Sequence, residues 1–141
     1  MLLDQLSKLI DASIRNCMDL MDRNNDELYS SIKYALGIIN LDQSKTTKRP
    51  GKSIRPMLCV LTYSASGIAY SDFIESSLSL EYIHNFSLIH DDIQDHDDFR
   101  HNKPTVWKEW GKAKALTAGN ALNDLAYLKL TRDETKLSKK Q

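Results

Sequence analysis

Apolar residues recur at three- and four-residue spacing along almost the whole chain, and that periodicity restricts the fold to packed helices. Leu2, Leu6, Leu9, Ile10, Ile14, Cys17, Met18 and Met21 form one stripe over 2–22. Asn24 or Asn25 is placed to cap a second helix, in which Leu28, Ile32, Ala35, Leu36 and Ile39 keep the period. A polar loop with Pro50 and Gly51 follows at 42–53, then a third helix over 54–66 with Pro56 in its first turn and Gly67 as its stop. The fourth helix is expected from Ser71 or Asp72 to about 97, with Ile74, Leu78, Ile83, Phe86, Ile89, His90 and Ile93 on its apolar surface. The fifth is expected over 108–131, with Trp110, Ala113, Leu116, Thr117, Asn120, Leu125 and Leu128 inward, and 131–141 as a polar tail. Alternating β-branched runs and Asn-Gly or Asp-Gly turns do not occur, so strands are not expected.

The 141 residues suffice for one modest domain with a core of its own. Lysine plus arginine equals aspartate plus glutamate at 19 each, so no global field selects nucleic acid or an anionic membrane. No apolar run approaches the roughly 18 residues that a membrane span needs. Cys17 and Cys59 both stand in apolar helical contexts, which predicts buried thiols in a reducing, cytoplasmic setting rather than a disulfide.

Charge is local instead. Asp91, Asp92, Asp95, Asp97 and Asp98 crowd the end of the fourth apolar segment. At about 100 degrees per residue, Asp91 and Asp95 share a helix face, with His84 two turns earlier on nearly the same line. In a cleft, at an effective dielectric near 20 and about 6 Å, each carboxylate pair would repel by roughly 3 kcal/mol. A divalent cation reverses that sign, and Mg²⁺ in particular takes carboxylate oxygens while bridging to phosphates. A solvated acidic helix end is the plainer alternative. Cations flank the acids on both sides: Lys52 and Arg55 at a glycine-preceded helix start, Arg100, His101 and Lys103 just beyond. A helix N-terminus with lysine and arginine suits an anion, although the glycine spacing of a Walker loop is missing.

Four segments carry a resemblance: GKSIRP at 51–56, EYIHNFSLIHDDIQD at 81–95, DDFRHNKPTVW at 97–107 and AGNAL at 118–122. In order and spacing they resemble the trans-isoprenyl diphosphate synthase family (polyprenyl synthetases), whose marks are GKxxRP, ExxHxxSLIHDDxxD, DDxRRGKPT and a later Gly-Asp pair. The resemblance implies an all-α, isoprenoid-synthase-type helical bundle, of which 1–141 would be the N-terminal part, about five helices. It implies that Asp91 and Asp95, supported by Asp92, hold Mg²⁺ and through it the allylic diphosphate, which Arg100 also grips. Gly51, Lys52, Arg55 and His84 match the residues that bind isopentenyl diphosphate, with His101 where the family has a further arginine. Phe86 and Ser87 match positions that tune product length, in a pattern that resembles C15 to C20 producers. The implied reaction ionises the allylic C–O bond, adds isopentenyl diphosphate to the carbocation and loses a proton.

The chain departs from that pattern. His101 exchanges a permanent cation for a pH-dependent one, Asn102 replaces glycine, and Asn120 replaces aspartate. A second aspartate-rich motif, expected on a later helix, does not occur after Leu130. The chain is therefore expected to be either a fragment of a longer protein or a naturally shortened homologue, and not to transfer prenyl groups alone. Uncovered helix faces predict a homodimer, or a shortened non-catalytic subunit that partners a complete synthase. Two rivals are weaker. The His90-Asp91 doublet fits a metal phosphohydrolase of the HD type but lacks an upstream metal-binding histidine. An EF-hand loop would need glycine where Arg100 stands.

Overall fold

The computed structural model describes residues 2–21, 26–47, 49, 51, 53–67, 69, 71 and 73–137, so the expected caps at Asn24, Asn25 and Asp72 lie outside the described residues. Helix α1 (Leu2–Met21) buries Leu6, Ile10, Ile14, Cys17 and Met18, the expected stripe, but leaves Leu9 exposed. Helix α2 (Glu27–Ala35) is capped by Asp26, whose carboxylate accepts the Leu28 N–H at 3.0 Å. It stops at Ala35, short of the expected Ile39. Gly37, at φ 69, takes the left-handed turn, and the Ile38 N–H returns to the Lys33 carbonyl at 2.8 Å. Ile38 and Ile39 stay buried in that turn.

Helix α3 (Ile54–Ala65) matches its expected bounds, with Gly67 at φ 80 beyond its end. Helix α4 (Ile74–Gln94) is shorter than expected at both ends, and His96 at φ 60 closes it. Ile74, Leu78, Tyr82 and Ile89 enter the core, whereas Ile83 is exposed and Phe86, His90 and Ile93 are half-buried. A small antiparallel hairpin follows, β1 (Phe99–Arg100) and β2 (Lys103–Pro104), which the sequence reading did not anticipate.

The expected fifth helix is two. Helix α5 (Val106–Trp110) ends at Gly111, φ 82, and α6 (Lys112–Leu137) restarts beyond it and continues past 131. The break resets the helical register. Ala115, Ala118, Leu122, Leu125 and Ala126 face the core, while Ala113, Leu116, Thr117, Asn120 and Leu128 are exposed. Small residues let α6 approach α4 closely. A Cβ on Gly119 would stand 2.6 Å from the His90 ring, so glycine here is a matter of room. Lys129 bridges to Glu75 and ties α6 to the start of α4. Cys17 and Cys59 are free thiols. No helix among the described residues is long and apolar enough to cross a membrane.

Candidate functional site

A cleft of about 400 Å³ opens between the loop before α3, the middle of α4 and the β1–β2 hairpin. Gly51, Arg55, His84, Arg100 and His101, five of the six expected diphosphate contacts, line it. The sixth, Lys52, lies outside the described residues. Lys103 lines it too, its ammonium 3.3 Å from the Asn40 side-chain oxygen.

The start of α3 supplies one wall. Ser53 precedes the helix in a left-handed conformation (φ 45) and its side chain caps nothing, so it does not compete for the first N–H groups. Ser53, Ile54 and Arg55 border the cleft, which sets a helix N-terminus beside a guanidinium. Pro56, third in the helix, lacks an N–H at a position with no intrahelical partner to lose. Gly51 has φ +83, and a Cβ there would meet nothing within 4 Å; backbone conformation, not space, calls for glycine.

The hairpin supplies the opposite wall. Arg100 pairs with Lys103, and the turn residues His101 and Asn102 both have positive φ, 51 and 60. This is a primed two-residue turn, in which asparagine is among the few residues able to stand in for glycine. The base of the hairpin is pinned. Thr105 donates to the Asp97 carbonyl at 2.8 Å, the Trp107 indole N–H to the same carbonyl at 2.9 Å, and the Tyr34 hydroxyl to the Pro104 carbonyl at 2.7 Å.

The floor is α4. Burial holds the His84 imidazole below its ordinary pKa, Arg55 and Arg100 push the same way, and Glu81 opposes them. Asp92 is buried, and burial raises its carboxyl above the usual range although Arg100 pulls it down. Nε and Nη2 of Arg100 reach Oδ1 of Asp92 at 2.8 and 2.7 Å. Asp92 thus holds Arg100 in the cleft.

Asp91 and Asp95 are placed differently. The Asp95 N–H donates to the Asp91 carbonyl at 2.8 Å, so the two are one turn apart on one stripe, and both are exposed. Neither makes an ion pair with a described residue, and neither lines the cleft. Asp92, the third expected metal ligand, turns away toward Arg100. Among the described residues no group of three or more His, Cys, Asp or Glu side chains is gathered into a metal cage. Two accessible carboxylates still fit Mg²⁺, which keeps several waters and binds through one or two carboxylates plus phosphate oxygens.

Phe86 and Ser87 also stand outside the cleft. Phe86 packs edge-on against the His90 ring at 4.5 Å, and the Ser87 hydroxyl donates to the His84 carbonyl at 2.8 Å. His90 is wedged between α4 and α6 beside Gly119, which disfavours a role in an HD-type metal centre. Sequence reasoning missed Tyr34, Asn85 and Glu81 as cleft residues; only Glu81 had a signal, its i,i+3 spacing before His84.

The polyprenyl synthetase family pattern matches residues 39–139. A (2E,6E)-farnesyl diphosphate synthase of Mycobacterium tuberculosis is 37% identical over 120 residues, 85% of this chain and 33% of that protein. A geranylgeranyl diphosphate synthase of Methanosarcina mazei is 32% identical over 128 residues, covering 91% of this chain and 36% of its own length. Among solved structures, the polyprenyl synthetase from Streptomyces coelicolor A3(2) superposes with a TM-score of 0.81 at 32% identity, over 92% of this chain and 37% of that one. The chain spans about a third of the length of these relatives.

Proposed function

Because this chain belongs to the polyprenyl synthetase family, we propose that its cleft binds the diphosphate of isopentenyl diphosphate and that its aspartate stripe meets an allylic diphosphate through Mg²⁺. One observation carries the reading: Gly51, Arg55, His84, Arg100 and His101 surround a single cleft at the N-terminus of α3. Arg55 and the helix start attract the anion. Burial, with Arg55 and Arg100 beside it, lowers the His84 pKa, and an arriving negative charge would raise it again. Arg100, steadied by Asp92, keeps its remaining N–H groups for an anion, on the side nearer the stripe.

Asp91 and Asp95 would hold Mg²⁺, which when bound neutralises and orients a departing diphosphate. Phe86 and Ser87, one turn before His90 and Asp91, would influence product length from the flank of α4, by shaping how α4 meets α6. Among the described residues no further carboxylates are gathered to complete a metal site, and the chain spans a third of its relatives. The activity is therefore assigned to an assembly in which a further helical segment faces α4. That segment would come from a continuation of the same polypeptide, from a second copy or from a complete synthase that this chain partners. The exposed Ile54, Leu58, Leu80, Ile83 and Tyr127 favour such cover.

Calorimetric titration of the 141-residue chain with isopentenyl diphosphate tests the cleft; saturable binding is expected, and none would remove the reading. A radiolabel transfer assay tests the second statement. Robust turnover by the purified chain would overturn it.

A further inference from the structure

Arg49 stands two residues before Gly51 in a polar loop, yet it is buried. Its Nε–H donates to the Leu36 carbonyl at 2.6 Å and its Nη2 to Oε1 of Glu81 at 3.0 Å. Oδ1 of Asp11 lies 3.9 Å from Nε. The side chains of Arg49 and Glu81 are only 5% and 11% exposed. Three elements thus converge on one guanidinium: α1 through Asp11, the end of α2 through Leu36, and α4 through Glu81. Glu81 lines the cleft one helical turn before His84.

We propose that Arg49 is a positioning residue of the cleft: it sets the loop that leads into α3 against α4, and it neutralises the Glu81 carboxylate that would otherwise face the bound anion. This rests on the reading of the cleft as a diphosphate site. A buried ion pair is weak evidence of stabilisation, because an apolar pair of similar volume often serves as well. What an apolar pair lacks is direction. The guanidinium fork reaches a carbonyl and a carboxylate on two different elements, and a single residue separates Arg49 from Gly51. An unpaired Glu81 would also place negative charge among Arg55, His84, Arg100, His101 and Lys103, with Asp92 the other acid lining the cleft.

The test uses the whole chain as R49M, R49K, E81Q and R49M/E81M. Thermal unfolding, calorimetric titration with inorganic diphosphate and NMR titration of the His84 ring are measured on each. In R49M the affinity should fall at least tenfold, and the His84 titration should move up by roughly half a pH unit as Glu81 loses its partner. E81Q should move that titration down. R49K should keep the charge effect on His84 while recovering only part of the affinity. R49M/E81M should regain wild-type stability without regaining affinity. Recovery of both together would overturn the proposal, since the pair would then be structural alone. Absence of diphosphate binding by the wild-type chain would refute the anion site itself. The His84 titration needs no ligand, so an unmoved His84 in E81Q and in any folded R49M would independently refute the role of Arg49. If R49M does not fold, R49K and E81Q carry the decision.

Discussion

The cleft and the aspartate stripe adjoin one another on α4 and are built by opposite rules. In the cleft each charged group whose burial would cost energy has a partner: Asp92 has Arg100, and Glu81 has Arg49. On the stripe, Asp91 and Asp95 stand exposed and make no ion pair within 4.0 Å among the described residues. Self-sufficiency on one side and unpaired like charge on the other suggest different needs. On the proposed reading, the cation side is preorganised to hold an anion unaided. On the same reading the carboxylate side would need a cation, because two exposed carboxylates a turn apart repel each other only mildly in water and gain much from a divalent ion.

The largest expected effect separates the two directly. R55M should weaken binding of inorganic diphosphate without metal by tenfold or more, about 1.4 kcal/mol. D91N/D95N should leave that binding within about twofold, since screened charges outside the cleft act weakly, and should instead abolish the further gain on adding Mg²⁺. Titrations with and without the metal read both numbers. A stripe variant that weakens metal-free binding as much as R55M would erase the contrast.

Stability is the next lever. R100A leaves a buried carboxylate without its donor and should cost about 1–3 kcal/mol by urea unfolding. D91A should cost no more than about 0.5 kcal/mol. The penalty depends on pH with a defined sign. The folded-state carboxyl of Asp92 titrates above its unfolded value, so its ionisation opposes folding, and losing Arg100 worsens this. The R100A deficit should be smallest at acid pH and grow as pH rises through the carboxylate range. An R100A deficit independent of pH would mean that Arg100 acts by packing alone.

Two glycines sharpen the contrast between conformation and room. G51A must hold a side chain at positive φ and should lose about 1 kcal/mol, together with diphosphate affinity. G119A should cost about 1–3 kcal/mol through overpacking against His90, with cleft affinity retained in the folded fraction. Equal losses of affinity in both would show that α4 and the α3 start do not behave as separate supports.

The smallest effect belongs to His84. Its folded-state pKa is lowered, so its stability contribution is complete above the ordinary imidazole value and is lost as pH falls below it. A bound diphosphate pulls the pKa back up. Affinity relative to H84N should therefore rise by about two- to threefold from pH 8 to pH 6, read by parallel titrations of the two proteins.

Much of this was legible before any coordinates. The α1 stripe, the bounds of α3 and the charged motifs stand where spacing places them, because large aliphatic residues and sharp stops announce themselves. The inward face of α6 did not, since alanine and glycine carry little hydrophobic signal and Gly111 shifts the register. The early end of α2 turned on Gly37, one glycine among apolar residues. Nor could spacing show that Asp92 turns from its neighbours toward Arg100, or that Arg49 is buried. Those outcomes depend on which elements meet.

The primed turn at His101 and Asn102 has a consequence for how such a site changes. Its direction is set by backbone dihedrals and by anchors at Asp97, Thr105 and Tyr34, and it is kept by any residue 101 that tolerates positive φ. Exchanging that one side chain alters charge and reach while the scaffold stands unmoved. If the cleft takes a diphosphate as proposed, its anion strength is adjustable like a single dial, separate from the machinery that keeps the protein folded.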